Sequence, residues 1–153
     1  MKVLEYEVAA IYYFIKEIIG IKYYFDEVPE DFLVPCVFYP TPTFETDSFS
    51  TSSFSTTFTM YAKVMDISNV SAAWKASEII QAVCKNRNKI PLVNESGKKT
   101  GKNFRIDNLI SKKIDEGVVQ IAFTWKRYTK YTKNTAILAR EFFFNGSPVG
   151  NNE

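Results

Sequence analysis

The residue types that most often perform chemistry in proteins are scarce in this chain, and their spacing matches no catalytic site. The sequence contains no histidine, which excludes Ser-His and Cys-His nucleophile pairs, histidine-ligated zinc and the commonest general base. Cys36 and Cys84 match neither a metal-ligand spacing nor a C-x-x-C redox pair. We therefore predict that the protein is not an enzyme and uses no cofactor.

Two further patterns resemble chemical sites only superficially. Residues 96–102 (SGKKTGK) lack the G-x-x-x-x-G-K-[ST] spacing of a phosphate-binding loop, so we interpret them as a solvated loop. The adjacent carboxylates Glu30-Asp31 and Asp115-Glu116 are typical of turns. The residue types still allow a metal site made of carboxylates alone, although no D-x-[DN]-x-[DN]-G calcium loop occurs.

The length and composition indicate one globular domain. The chain has 153 residues, and compact domains cluster at about 100–150 residues. A hydrophobic content of 46% is too high for a disordered protein. We predict a single domain over residues 1–145 and a flexible polar tail over 146–153.

The sequence also predicts where the protein is made. No apolar run approaches the roughly 18 residues of a membrane span, and the start of the chain lacks a basic segment with a cleavage site. Both cysteines lie among apolar neighbours, so we expect reduced, buried thiols rather than a disulfide. We expect a protein made in the cytoplasm with no membrane partner.

Two helices are expected to cover a sheet. Apolar residues at helical spacing predict a first helix over 4–19, which Gly20 would end in a left-handed conformation. Ser71 can cap a second helix that runs to about residue 86, with an apolar stripe including Ala73, Ile80 and Cys84. Residues 87–103 are expected to form a long polar loop.

The strands are expected to form mostly hairpins. Prolines around residues 34–39 predict an edge or bulged strand, and 54–65 alternates with period two after a hairpin turn at 45–53. Residues 104–110 and 118–127 predict a second hairpin. The fold class is therefore α+β, an α/β-type sandwich with a mostly antiparallel or mixed sheet of four to five strands and two flanking helices. The expected core includes Ile11, Ile15, Phe58, Met60, Ile80, Val83, Ile121 and Phe123.

Charge is strongly segregated along the chain. Residues 1–47 hold three lysines and nine acids, whereas 85–133 hold thirteen Lys and Arg and four acids. Three interpretations stay open: a solvated basic face, a nucleic-acid contact, or contacts between unlike surfaces of neighbouring copies in a ring. The acidic candidates are Asp26, Glu27, Glu30 and Asp31. The basic candidates are Lys98, Lys99, Lys102, Arg105, Lys112 and Lys113, with Lys126, Arg127, Lys130 and Lys133 added for nucleic acid.

The aromatic content exceeds what one small core requires. The chain has nine Tyr, thirteen Phe and two Trp, and aromatic residues are enriched at protein interfaces. The candidates for contact with other proteins are Tyr12, Tyr13, Tyr23, Tyr24, Tyr128, Tyr131 and the run Phe142, Phe143 and Phe144.

The order of these elements resembles a known family. An N-terminal amphipathic helix precedes the proline-bounded strand VPCVFYP (34–40), and a Ser/Thr-rich hairpin closes into FTMYAKV (58–64). An alanine-rich helix follows, and the last hairpin ends in VQIAFTW (119–125). Over roughly residues 1–127 this layout resembles the tail terminator, or tail completion, proteins of long-tailed bacteriophages and phage-tail-like particles.

The resemblance implies a structural protein of the virion tail. Such a subunit would form a homo-oligomeric ring, expected to be a hexamer, that caps the head-proximal end of the tail tube and stops its polymerisation. Its partners would be the tail tube protein, the head connector and, in contractile tails, the sheath protein, with DNA only passing through the lumen. The alternatives are a nucleic-acid-binding accessory protein and another head–tail or baseplate adaptor.

Overall fold

The computed structural model describes residues 2–133, 142–144 and 147–149, with side chains over 6–133. Two helices and ten strands occupy these residues. The helices are α1 (Lys2–Ile19) and α2 (Asn69–Lys85). The strands are β1 (Lys22–Phe25), β2 (Cys36–Tyr39), β3 (Thr43–Ser48), β4 (Ser53–Met65), β5 (Lys89–Val93), β6 (Lys99–Arg105), β7 (Asn108–Asp115), β8 (Val118–Lys130), β9 (Phe142–Phe144) and β10 (Ser147–Val149).

A mixed six-stranded sheet forms the centre of the fold. Its strand order is β1-β2-β4-β8-β7, and β3 also pairs with β4. β1 and β2 are parallel, and the other pairs in this sheet are antiparallel. β5 with β6 and β9 with β10 form two small antiparallel sheets. The α+β prediction is therefore confirmed, with a larger main sheet than expected.

The core lies between one face of the main sheet and both helices. β4 and β8 pair along their whole length, so Phe58 lies opposite Trp125 and Met60 lies opposite Phe123 on the same buried face. Side chains of α1 and α2 join these residues in one hydrophobic cluster. Of the predicted core residues, all are buried except Ile80, which is partly buried against this cluster.

The helix predictions are accurate for α1 and shifted for α2. Gly20 has φ +54° and its N–H donates to the Lys16 carbonyl at 2.9 Å, which ends α1 as expected. α2 begins earlier than predicted, because the Ser68 hydroxyl rather than Ser71 accepts the capping hydrogen bond, from the Ser71 N–H at 3.1 Å. The predicted stripe is correspondingly wrong in part. The residues of α2 that are buried are Ala72, Ala76, Ile79 and Val83, whereas Ala73 and Cys84 are exposed.

Four strand predictions are corrected by the structure. The predicted strand 104–110 is divided between the end of β6 and the start of β7, which residues 106 and 107 separate. β2 is not an edge strand, because β1 pairs with it and its prolines bracket the strand instead of interrupting it. The turn between β3 and β4 covers only 49–52, since the ladder extends to Ser48 and Phe54. The predicted loop over 87–103 contains β5 and much of β6, with a register shift after Pro91 that accommodates the missing N–H.

The remaining predictions concern the cysteines, the membrane and the C-terminal segment. Cys36 is buried as expected, but Cys84 is exposed, and both are free thiols. None of the helices within the described residues is long and apolar enough to cross a membrane. β10 lies inside the predicted tail over 146–153, and the rest of that tail lies outside the described residues. The side chains of Phe142, Phe143 and Phe144 lie outside the described part of the chain as well.

Candidate assembly surfaces

The four acidic candidates form one exposed segment. Asp26, Glu27, Glu30 and Asp31 lie in the connector 26–35 between β1 and β2, and all four are exposed. Asp26 begins the connector with φ +60°, and its carboxylate accepts a 2.7 Å hydrogen bond from the Thr41 hydroxyl. The same connector exposes three apolar side chains, which the sequence analysis missed: Phe32, Leu33 and Val34.

The six basic candidates are all exposed but lie on two different elements. Four of them lie on the β5–β6 hairpin: Lys98, Lys99, Lys102 and Arg105. Lys112 and Lys113 lie on β7, at the edge of the main sheet. Lys99 Nζ lies 3.4 Å from the Glu17 carboxylate of its own chain, and Lys113 Nζ lies 3.1 Å from Glu116. The structure thus divides what the sequence presents as one basic patch.

The turn after β7 is fixed to the start of α2. The Gly117 N–H donates to the Asn69 side-chain oxygen at 2.6 Å, and the Asn69 amide donates to Glu116 at 2.7 Å. Hydrogen bonds from Lys113 and Asn69 hold the pKa of Glu116 below its usual value. The Asp66 N–H donates to the Gly117 carbonyl at 2.8 Å. These contacts hold the end of the edge strand β7 in place.

Tyr12 and Tyr13 of α1 pack against other residues of the same chain; that they contact other proteins stays a prediction. Tyr12 is 8% exposed and packs with Tyr23, Phe25 and Tyr39 at ring-centroid distances of 4.3, 5.4 and 6.1 Å. Tyr13 is half-buried and its ring lies against the β5–β6 turn. Both tyrosines of α1 therefore contribute to packing within the molecule.

Tyr128, near the end of β8, and Tyr131, just after it, are exposed. Tyr128 packs on Phe49 with ring centroids 4.5 Å apart, and Tyr131 packs on Phe54 at 5.6 Å. Lys126 and Lys130 beside them are exposed too. We call this end of β3, β4 and β8 the aromatic tip.

Arg127 differs from its basic neighbours because it is held by a buried carboxylate. Glu7 of α1 is 8% exposed and accepts a 2.6 Å hydrogen bond from Trp125 Nε1. Arg127 Nη2 lies 2.6 Å from the same carboxylate oxygen and forms an ion pair with it. The contact does not have the geometry of a hydrogen bond. The Arg127 guanidinium also lies 5.1 Å from the Phe58 ring centroid. The charge of Arg127 is therefore paired with a carboxylate of the same chain.

An apolar patch that the sequence analysis missed lies at the start of α2. Ile67, Val70 and Trp74 are 84%, 65% and 68% exposed. Ile67 lies just before α2, and Val70 and Trp74, four residues apart, lie on the side of the helix opposite the buried alanines. The helical pattern contained this signal, but apolar residues on two sides of α2 make the buried side ambiguous from sequence. An exposed tryptophan in an apolar patch is typical of a protein interface.

An open cleft lies between α1 and the β5–β6 hairpin. Its volume is about 700 Å³, and its lining includes Tyr6, Glu7, Glu95 and Lys102. The Tyr6 hydroxyl donates to Glu95 at 3.3 Å. Within the described residues, no three His, Cys, Asp or Glu side chains are grouped closely enough to hold a metal ion. The prediction that the protein is not an enzyme stays a prediction.

Comparison with known proteins finds similarity to a protein of a phage-like element. No protein-family model matches the sequence. The chain is 27% identical over 119 residues to the phage-like element PBSX protein XkdJ of Bacillus subtilis (strain 168), a region covering 78% of this chain and 82% of that protein. The chain is phage-related. The uncharacterized protein YqbJ of the same organism is also 27% identical over 119 residues, covering 78% of this chain and 81% of YqbJ.

Proposed function

We propose that this protein is a tail-completion subunit that forms a ring on the head-proximal end of a phage tail tube. The ring would end tube polymerisation and provide the surface that joins the tail to the head. It would be a structural component of the tail that needs no cofactor, and DNA would contact it only in passage through the lumen. Two findings support the proposal: the similarity to a phage-element protein and the resemblance of the element order to tail terminators.

The observation that supports a ring most directly is the separation of charge on the folded surface. The acidic connector 26–35 and the lysines of β7 and the β5–β6 hairpin are exposed on different elements of the same chain. A ring requires a heterologous interface, in which one patch meets a different patch on the next copy. Opposite charges set the orientation of such contacts, and aromatic burial supplies most of the affinity.

Two exposed surfaces can serve partners other than a second copy. The aromatic tip presents Tyr128 and Tyr131, and the patch on α2 presents Trp74, Val70 and Ile67. A terminator must contact the tube on one side and the connector or sheath on the other, so it requires more than one interface. We assign these two surfaces to the tube, sheath and connector contacts.

The test is to remove the gene from a phage or phage-like element that encodes it and to examine the tails by electron microscopy. We expect tubes of uncontrolled length without heads, and normal particles when the gene is supplied in trans. Antibody labelling of complemented particles should mark the head-proximal end. Tails of normal length joined to heads in the absence of the protein would overturn the proposal, as would labelling along the tube or at the distal end.

A second candidate function rests on the aromatic tip. Lys126 and Lys130 flank Tyr128 on β8, and all three are exposed, an arrangement of cations and aromatic rings that suits single-stranded nucleic acid. In that case the isolated subunit should bind oligonucleotides with an affinity that falls steeply with salt. Lys126→Ala with Lys130→Ala should abolish that binding and leave tail completion unchanged.

A further inference from the structure

Both ends of the main sheet are open edges within the part of the chain that the structure describes. β7 pairs with β8 only, and β1 pairs with β2 only. β7 is eight residues long, and every residue except the half-buried Leu109 is exposed. An exposed edge strand offers a row of unpaired N–H and C=O groups that bind a further strand.

The two edges differ in charge. β7 carries Lys112, Lys113 and a terminal Asp115, whereas β1 begins with Lys22 and leads directly into Asp26 and Glu27 of the acidic connector. Each edge also exposes apolar groups: Ile110 and Ile114 on β7, and Tyr23 and Phe25 on β1.

The directions of the strands also match. β7 is antiparallel to β8, β8 to β4, and β4 to β2, and β1 is parallel to β2. β7 and β1 therefore run in opposite directions at the two ends of one sheet. A second copy placed beside the first in the same orientation brings its β1 next to β7 as an antiparallel partner, the pairing with the better hydrogen-bond geometry.

From these features we propose that β7 of each copy pairs with β1 of the next, so that the main sheets join into one continuous sheet around the ring. The inference rests on the proposed ring and adds the surfaces through which the copies meet. The C-terminal end of β1, with Asp26 and Glu27, then approaches the lysines of β7. A groove of about 510 Å³ along β1 provides room for the longer β7 strand; it is lined by Lys16, Gly20, Ile21, Lys22, Tyr23 and Tyr24.

The lysines also disfavour the competing arrangement. Two antiparallel β7 strands would form a closed dimer, and a pairing centred on residues 112 and 113 would place Lys112 opposite Lys113 of the other copy. Like charges opposite each other destabilise a strand pair. The lysines therefore favour pairing of β7 with a strand that has an acidic end over pairing of β7 with a second β7. A second copy of this chain provides such a strand, because its β1 leads into the acidic connector.

Cysteine cross-linking tests the pairing. In a Cys84→Ser background, Tyr24→Cys is combined in turn with Ile110→Cys, Lys112→Cys or Ile114→Cys, and the isolated protein and purified tails are oxidised. We expect one combination to form a ladder of oligomers up to the size of the ring. Replacing Tyr24→Cys by Lys22→Cys should move the best partner towards the C-terminal end of β7, because the strands are antiparallel.

The control and the contrary outcomes separate the two proposals. Tyr24→Cys with native Cys84, which is exposed on α2, should give no ladder. If rings form but no combination gives a cross-link, the proposed edge pairing is overturned and the proposed ring is retained. Dimers formed by Ile110→Cys alone would show that β7 pairs with itself, which also overturns it. The absence of any ring, in solution and on tails, would overturn both proposals.

Discussion

Glu7 shows how one charged residue links the first helix to the far end of the sheet. It lies on the buried side of α1, where an ionised carboxylate is costly unless it is paired. Trp125 and Arg127, both on β8, supply its hydrogen bond and its counter-charge. The sequence analysis treated Arg127 as a free basic residue, because nothing local in the sequence relates it to Glu7.

We predict that Glu7→Gln lowers the free energy of unfolding by about 1.5–3 kcal/mol, the range for a hydrogen bond to a charged group. The variant leaves Arg127 without its counter-charge in a largely buried position. Urea denaturation measures the effect. The matched control is Glu17→Gln, whose Lys99 partner is 3.4 Å away on the surface, and which should cost under about 1 kcal/mol. Equal losses in the two variants would contradict the buried role of Glu7.

Asp66 predicts a pH-dependent contribution to stability. Burial opposes its ionisation, but hydrogen bonds from Lys75 Nζ and the Ile67 N–H outweigh this and lower its pKa below the ordinary value of 3.8. The folded state therefore favours the carboxylate. Its contribution is complete at pH values above 3.8 and is lost as the pH falls through the lower, folded-state pKa.

Asp66→Asn should therefore be less stable than the wild type at neutral pH, and the difference should shrink as the pH falls below 3.8. Thermal unfolding of both proteins at several pH values measures this difference. Glu95→Gln, at an exposed position, serves as the control for removing one negative charge. A difference that stays constant down to pH 2 would show that the Asp66 carboxylate does not titrate with folding.

At the scale of elements, regular alternation decides what the sequence predicts. The period-two pattern of β4 and β8 predicted the buried face that Met60 and Phe123 share. β5 and most of β6 were missed because Pro91 and the predominantly polar composition of residues 87–103 give no alternating pattern. The two strands pair with each other. β1 was missed because four residues are too few to show a period, and its parallel pairing with β2 depends on the folded chain.

Of the glycines that the structure describes, Gly117 in the turn between β7 and β8 should be the most sensitive to substitution. Gly117 has φ +68°, and a Cβ there would overlap the Asp66 carbonyl oxygen. Gly117→Ala should therefore cost more than the roughly 1–2 kcal/mol of a left-handed alanine. Gly101→Ala is the control, because Gly101 has φ +83° with nothing within 4 Å of the added carbon. Thermal unfolding that shows equal losses would mean that the contact with Asp66 carries no constraint.

For the whole molecule, the sequence revealed that charge is segregated but not where the charges meet. The excess of acids in 1–47 and of lysines and arginines in 85–133 is visible without a structure. The fold adds that the six basic interface candidates divide between the β5–β6 hairpin and the edge strand β7. Charge reversal can test whether the hairpin residues or the β7 residues face the acidic connector of a neighbouring copy.

We predict that Glu27→Lys with Glu30→Lys weakens ring formation and that adding Lys112→Glu restores part of it. Glu27 lies directly after the strand that we propose to pair with β7, so the reversed charges attract again in the combined variant. Each exposed pair contributes only about 0–1 kcal/mol, so the effect appears as a shift in the protein concentration at which rings form. Native mass measurements over a concentration series record this shift.

Lys98→Glu in the same acidic-reversal background is the matched control, because Lys98 is equally exposed but lies on the β5–β6 hairpin. Both combined variants have the same net charge, so a difference between them reports position rather than total charge. Raising the salt concentration should weaken wild-type rings and reduce the defect of the reversed variant, since exposed charges are screened. Rescue by Lys98→Glu and not by Lys112→Glu would move the interface from the sheet edge to the hairpin, while equal rescue by both would mean that the charges act only through the overall field of the molecule.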